Sequence, residues 1–516
     1  MEVWEIYAAA VSEYKAKNFD AALELLEDIK KVAPTYRKAY LLEAYIWRDR
    51  GNVVKEFNAL SEIIPLLVLS NAEQKDLAAY ALSLFARVCR LLELGEEVVN
   101  LYVFVAKIMK NSAGACEALS NAIFTATFIE NFSADDFQKL YAEYKKYLSD
   151  IAPYPKKFYA HKKIRVGFLS ADFCIHPVMN WAWALIHDLN KNFFTTYCYS
   201  SVQKPDIVTE HIKATVENWR DILKLEDAQA AELIRGDEID ILFDMSGHTS
   251  GNRLRVAAYH PATVQMSGIG FLTSTGLDCF DYFLTDETCA GDEKYFTEKL
   301  LRLPSSHFCY EPSKIPEIYD PPCLRNGYVT FGCFNKYCKI TDSILTAWKK
   351  ILDAVPNSRL ILKNFILNND DGKNFVVNRL KNVYIDTSRV ELRGQTANHP
   401  ADYNDVDIAL DTFPYTGCVT TCEALFMGVP VVSLHGDRMG TRVGLSILKN
   451  IGLEELAVNS YDEYINRAVS LAGDWELLKI LRKNLRGMMT KSPLMDAKNY
   501  LREVETAFKK ILRDAR

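Results

Sequence analysis

The run DIALDTFPYTGCVTTCEALFMGVPVVSL, Asp407 to Leu434, decides the architecture. Its first residues are a short apolar strand, Asp407 to Leu410. A turn carrying Pro414 and Gly417 follows, then apolar positions at helical spacing from Val419, then Gly428-Val-Pro430 and a second β-rich run, Val429 to Leu434. Strand, helix and strand in one stretch make the βαβ unit of a parallel sheet. The turn also has a chemical reading. A glycine, the hydroxyls Thr420 and Thr421 and the acid Glu423 at a helix start build an anion pocket, because the first N–H groups of a helix are unpaired and its dipole favours negative charge. The same residues equally suit a plain helix capped by Thr420 or Thr421.

Working outward, Tyr328 to Phe334, Arg359 to Lys363, Val390 to Arg393, Asp407 to Leu410 and Val429 to Leu434 form one series of strands with helices such as Asp342 to Ala354 between them. Upstream of the proline-containing break Pro312 to Pro322 lies a second series: Ile164 to Ser170, Thr195 to Ser200, Ile239 to Ser246, Val264 to Gly268 and Tyr282 to Thr285. Two doubly wound sheets in tandem leave a cleft at the carboxyl ends of their strands, where such sheets bind ligands. Before Pro153-Tyr-Pro155 the texture is helix after helix. Tyr14 to Trp47 and Phe19 to Val53 repeat at tetratricopeptide-like spacing, and Glu73 to Leu92, Val98 to Met109 and Ala115 to Phe132 extend the stack. The predicted division is therefore a helical domain over 1–152, a first Rossmann-like half over 153–322, and a second over 323–516 that ends in helices, the longest being Ala497 to Arg513. The helical part is expected to be an acceptor dock and not part of the chemical machine, with Ala115 to Tyr147 packing on the first Rossmann-like half.

Composition narrows the function. The chain has 516 residues, 61 Lys and Arg against 67 Asp and Glu, and a net charge of −6, so no global field favours nucleic acid. Its mean hydropathy is −0.09 and its longest apolar run is too short to span a membrane. Twelve cysteines without metal-ligand spacing, and a charged start without a signal-peptide pattern, predict a cytoplasmic protein.

The cleft-facing loops hold the candidate chemistry. Asn335, Lys336 and Lys339 follow a strand, and cations there neutralise a diphosphate. His176 lies just past Ile164 to Ser170, while Asp244 and His248 end another strand; a histidine and a carboxylate so placed are candidates to take a proton from a hydroxyl. No nucleophile elbow, HExxH, P-loop or dinucleotide fingerprint is present.

The segments RVGFLSADFCIHP, DILFDMSGHTSGNRL, LLRLPSSHFCYEPS, NGYVTFGCFNKYCKIT and VDIALDTFPYTGCVTTCEALFMGVPVV resemble glycosyltransferase family 41, the O-GlcNAc transferases and SPINDLY-type protein O-fucosyltransferases, in a short-repeat, bacterial-like form. The likeness runs from Ile164 to about Arg513. It implies a GT-B fold behind a helical repeat domain and metal-free, inverting transfer from a nucleotide diphosphate sugar to a protein serine or threonine. His176 matches the active-site histidine, Lys339 the lysine on the departing diphosphate and His399 a histidine of the nucleotide pocket. Gly417, Cys418, Val419, Thr420 and Thr421 are candidate contacts to the nucleotide sugar, Thr420 falling in the hydroxyl turn that holds the phosphates, and Glu423 replaces the acid that grips ribose in O-GlcNAc transferases, where the SPINDLY-type proteins resemble this chain. Cys418 and Lys336 depart from the histidine and glutamine of animal O-GlcNAc transferases, whereas Arg442 is similar to theirs.

The reading is a protein O-GlcNAc transferase using UDP-GlcNAc, with no metal and no cofactor; the alternative donor is GDP-fucose. His176, Asp244 or a phosphate oxygen takes the acceptor proton, and the sequence does not rank them. Expected partners are the UDP-sugar and an acceptor protein held with help of the repeats, with no nucleic acid and no membrane; self-association stays open. A sugar-nucleotide 2-epimerase and a non-catalytic repeat scaffold are the rival readings.

Overall fold

A computed structural model of the chain describes residues 2–93 and 95–516. Eight helices come first: α1 (Val3–Lys15), α2 (Phe19–Val32), α3 (Arg37–Asp49), α4 (Val53–Ile63), α5 (Ala72–Leu91), α6 (Glu97–Ile108), α7 (Ser112–Ala126) and α8 (Ala134–Lys146). They pair antiparallel as apolar stripes demand; α2, for example, buries Ala22, Leu26 and Ile29 on one face. Gly51, at φ +68°, makes the turn before α4, and the Asn52 side chain caps that helix by accepting from the Lys55 N–H at 3.0 Å. The expected helix Ala115 to Phe132 ends early, α7 stopping at Ala126, and a further helix, α8, starts behind Ser133, whose hydroxyl accepts from the Asp136 N–H.

Thirteen strands follow: β1 (Ile164–Ser170), β2 (Phe194–Ser200), β3 (Asn218–Asp221), β4 (Ile241–Asp244), β5 (Val264–Ser267), β6 (Tyr282–Asp286), β7 (Lys299–Leu303), β8 (Thr330–Cys333), β9 (Arg359–Lys363), β10 (Val390–Arg393), β11 (Ile408–Leu410), β12 (Val431–Leu434) and β13 (Ala457–Val458). They form two parallel sheets, ordered 3-2-1-4-5-6-7 and 10-9-8-11-12-13. Strands β3, β7 and β13 are additional to the sequence reading. Each is a short edge strand or one whose pattern does not stand out. The order reverses between β1 and β4 in the first sheet and between β8 and β11 in the second, so each sheet opens a crevice there.

The last helix, Ala497–Ala515, leaves the second half and packs on the first. Phe508 lies against Phe194 and Phe243, and the Tyr500 hydroxyl donates to the His307 carbonyl at 3.3 Å. A polar seam joins the halves below the cleft. Asp286, at the end of β6, accepts from His307 Nδ1 at 2.6 Å and from the Ser446 hydroxyl of the second half at 2.9 Å. The Asp292 N–H donates to the Asp437 carbonyl at 2.8 Å, and a Cβ on Gly291 would stand 2.1 Å from that oxygen.

The helical region is not separable from the sheets. Helices α5 to α8 share one apolar core with residues 254–296, including Phe271, Leu277 and Phe280. The ring of Tyr141 fills the turn at Gly276, where a Cβ would come within 2.0 Å of it. The shared core includes the packing expected of Ala115 to Tyr147 on the first half and reaches back to α5 and α6. Among the described residues no helix is long and apolar enough to cross a membrane.

Candidate active site

The two reversal points face one another, and the loops leaving β1, β4, β8 and β11 carry the expected residues. In the second half the turn after β11 is built around Asp411. This buried carboxylate accepts from the N–H groups of Gly417 (2.6 Å) and Thr412 (2.8 Å) and from the Ser433 hydroxyl (2.7 Å). Gly417 is needed for close approach, since a Cβ there would lie 2.4 Å from the Thr421 hydroxyl. The helix Val419–Phe426 then starts from Cys418 with no side-chain cap. Neither Thr420 nor Thr421 caps it. Thr420 donates to Asn335 Oδ1 at 2.9 Å, and Thr421 is buried. Of the two alternatives the sequence left open, the threonine-capped helix is not what forms, and the first N–H groups of the helix have no side-chain cap.

Lys339 ends the short turn after β8. Its Nζ donates to the Thr416 carbonyl at 2.9 Å and lies 4.4 Å from the centre of the Tyr415 ring. Burial pushes its ammonium down to about 8, opposed by Asp411. Lys336 is exposed at the mouth. His399 Nε2 stands 3.4 Å from a Glu423 carboxylate oxygen. Lys336 and His399 line a cavity of about 330 Å³ that α4 and α5 wall with Val53 and Leu91. Cys418 keeps its proton, its thiol pushed up to about 12 by burial.

Across the cleft, His176 sits in the loop between β1 and the helix Met179–His187. His176, Val419 and Glu423 line one cavity of about 560 Å³, which therefore joins the two halves. Burial, with the Lys336 charge second, lowers the imidazole to about 4, so it is neutral at pH 7. Asp172 was not singled out as a site residue from the sequence. Its Oδ2 is buried without a hydrogen-bond partner and lies 3.8 Å from His176 Nδ1, and burial, with Asp244 second, pushes it up to about 6. The signal was its place four residues before His176 in the loop after a strand.

Three expected site residues have other work. Asp244 is fully buried and accepts from the Ser267 hydroxyl (2.7 Å) and the Gly247 N–H (2.8 Å), so it folds the loop after β4 and does not face the cleft. His248 is buried with both ring nitrogens engaged, Nδ1 with the Ser120 hydroxyl of α7 at 2.9 Å and Nε2 with the Thr275 carbonyl at 2.8 Å. It fastens the helical region. Arg442 donates to the carbonyls of Thr288 (2.9 Å) and Gly436 (3.0 Å) and so ties the two halves. A strand end is legible in sequence; its depth is not. The sequence Asp405-Val-Asp407 could suggest a metal pair, but it precedes β11 at the edge away from the cleft, with Asp405 paired to Arg393 at 2.8 Å and Asp407 accepting from the Thr330 N–H at 2.8 Å.

Two parallel sheets with facing reversal points, a returning C-terminal helix and a lysine beside an uncapped helix start define a GT-B glycosyltransferase. The chain belongs to glycosyl transferase family 41, whose model matches residues 145–315 and 319–504. It is 36% identical over 389 residues to the probable UDP-N-acetylglucosamine–peptide N-acetylglucosaminyltransferase SPINDLY of Solanum lycopersicum, covering 73% of this chain and 41% of that protein. It is 30% identical to the similarly named SEC of Arabidopsis thaliana, covering 68% and 37%. The chain thus spans well under half the length of these curated relatives. The O-GlcNAc transferase of Thermobaculum terrenum superposes with a TM-score of 0.87 at 28% identity, covering 99% of this chain and 98% of that one.

Proposed function

We propose that the protein transfers N-acetylglucosamine from UDP-GlcNAc to a serine or threonine hydroxyl of a protein acceptor, with inversion at the anomeric carbon and without a metal. The observation that carries this reading is Lys339 beside the Asp411-ordered turn, opposite Asp172 and His176. The diphosphate lies on the start of the helix Val419–Phe426, with Lys339 and Lys336 meeting the charge that develops as the glycosidic bond breaks. Glu423 takes the ribose hydroxyls, and the base enters the cavity beside His399. Asn335 holds Thr420 in the turn. Gly417 to Thr421 contribute the turn's shape more than their side chains.

The acceptor hydroxyl approaches from the His176 side, attacks the anomeric carbon opposite the departing diphosphate, and loses its proton as the new bond forms. His176 Nδ1 accepts from the Val178 N–H at 3.3 Å, so the neutral imidazole carries its proton on Nε2 and orients the acceptor oxygen from there, while an oxygen of the departing diphosphate takes the acceptor proton. The helical region supplies an acceptor groove on its tyrosine-lined face, where Tyr7, Tyr14, Tyr45 and Tyr80 border a cavity of about 510 Å³. The similarity to the tomato and Arabidopsis relatives and to the Thermobaculum transferase supports this donor and acceptor class.

Metal independence is supported by the occupied positions of Asp405 and Asp407 and by two lysines where a metal would otherwise neutralise phosphate. Nucleotide release from UDP-GlcNAc with acceptor protein is the test. The rate is expected to be unchanged in excess EDTA and to need the acceptor. A rate abolished by the chelator and restored by Mg²⁺ would refute the metal-free site, and interconversion of the sugar without acceptor would indicate an epimerase.

A further inference from the structure

The C-terminal end of α7 reaches the other side of the molecule and touches the loop that holds Lys339. Phe128, just past the helix, is buried and stacks on Tyr415, with centroids 5.0 Å apart and planes at 28°. Phe124, one turn earlier, meets Phe128 edge-on at 5.1 Å and Tyr415 edge-on at 6.5 Å. The other neighbour of the Tyr415 ring is the Lys339 ammonium, at 4.4 Å. The helix end is itself anchored to the second half. Arg438 donates to the Ile129 carbonyl at 2.7 Å and reaches the Ala126 carbonyl at 3.5 Å, and the Tyr461 hydroxyl donates to Glu130 at 3.1 Å. A cation on the terminal carbonyls of a helix is favoured by their unpaired lone pairs and by the dipole.

We propose that Phe124 and Phe128 of the helical region are positioning residues for the diphosphate site, clamping Tyr415 against Lys339 so that the leaving-group cation is held where the phosphate needs it. The inference rests on the reading of Lys339 given above and adds a role for a region whose expected work was docking alone. The physical need is plain. A lysine has four rotatable bonds, and the Thr416 carbonyl fixes only one of its three donors. An aromatic face attracts the ammonium without consuming a hydrogen-bond donor, so the remaining donors stay free for phosphate oxygens. The Tyr415 backbone is held by the Thr412 hydroxyl, which donates to its carbonyl at 2.9 Å, and the aromatic pair from α7 supplies a rigid back wall for the ring. The charged and titratable groups around the ammonium are Asp411 and Cys418 from the turn, Lys336 and Cys338 from its own loop, and Arg90 of α5, which lies over the Phe124 ring at 5.0 Å and acts on Cys338.

A double-mutant cycle tests the proposal, read out as UDP affinity by calorimetry and as kcat and donor KM with UDP-GlcNAc. Phe128→Leu and Tyr415→Leu are expected to weaken UDP binding and lower kcat by about five- to tenfold, the range of one desolvated cation–π contact and its geometry. Phe128→Tyr and Tyr415→Phe keep a ring and are expected to stay within about twofold of wild type. In a Lys339→Ala background, Phe128→Leu is expected to cost nothing further in UDP affinity, because the residue acts through the lysine. Phe57→Leu serves as a packing control: it loosens the Phe57–Phe85 stack elsewhere in the helical region and should lower the melting temperature without changing UDP affinity. Equal losses for Phe128→Leu with and without Lys339, or equal losses for Phe57→Leu and Phe128→Leu, would overturn the clamp. A wild-type protein that binds neither UDP nor GDP would instead overturn the functional reading beneath it, and the clamp with it.

Discussion

Lys339 meets two opposed demands: burial beside Tyr415 favours its neutral form, while the work proposed for it on a departing diphosphate requires the ammonium. Its ammonium is held near 8, so the charge is present at pH 7 and is lost as the pH rises through about 8. In the free enzyme kcat/KM should therefore fall on the alkaline side from about that pH, and Lys339→Arg, whose guanidinium stays charged, should remove this limb from whatever activity remains. A limb unchanged in the arginine variant would assign it to another group. Lys339→Ala should lower turnover by about 10²–10³, the cost of one preorganised charge donor. His176→Ala should cut transfer while UDP affinity, measured by titration, stays near wild type, because the proposed nucleotide site is on the other half; equal loss of both would move His176 to the donor site. At this scale the sequence located Lys339 and His176 in loops that leave strands, where the structure has them. It misled at Asp244 and His248, which follow a strand equally well but turn inward, to Ser267 and to Ser120 of α7.

The turn from Asp411 to Cys418 is the element on which the nucleotide site depends, and its chemistry was half legible. Gly417 and the hydroxyls stood out; that Asp411 organises them did not, because a carboxylate at a strand end looks the same whether it binds a ligand or its own loop. Gly417→Ala is the sharp test of the element. Its Cβ would come within 2.4 Å of the Thr421 hydroxyl and 2.8 Å of that of Thr420, both polar atoms at the start of the helix. The turn should shift, and UDP affinity should fall at least tenfold, about 1.4 kcal/mol, with the chain still folded. Affinity within twofold of wild type would show that the nucleotide does not use this turn. The clamp from α7 was beyond the sequence for another reason: Phe124, Phe128 and Tyr415 meet only after two sheets and eight helices have assembled, and no spacing records that.

For the whole molecule, the shared core of α5 to α8 with residues 254–296 makes the helical region part of the catalytic body. A chain starting at Lys156 would bare Phe271, Leu277 and Phe280 and empty the turn filled by Tyr141, and should be insoluble on expression. The first helix pair is different, since α1 and α2 pack in a small cluster reaching only to α3. Removing residues 1–34 should leave UDP affinity unchanged and raise KM for the protein acceptor, whereas a soluble, UDP-binding chain from Lys156 would contradict the shared core. Sheets, their tandem order and the cleft were legible because βαβ units are written in local pattern; the return of the Ala497–Ala515 helix to the first half was not, because a long amphipathic helix does not name the surface it covers. The central claim is tested most directly by intact-mass measurement of an acceptor protein incubated in parallel with UDP-GlcNAc, UDP-glucose and GDP-fucose, using wild-type enzyme and Lys339→Ala. The account predicts addition of N-acetylhexosamine from UDP-GlcNAc by the wild type, with little or none by the variant. Addition of fucose alone, or equal addition by Lys339→Ala, would contradict it.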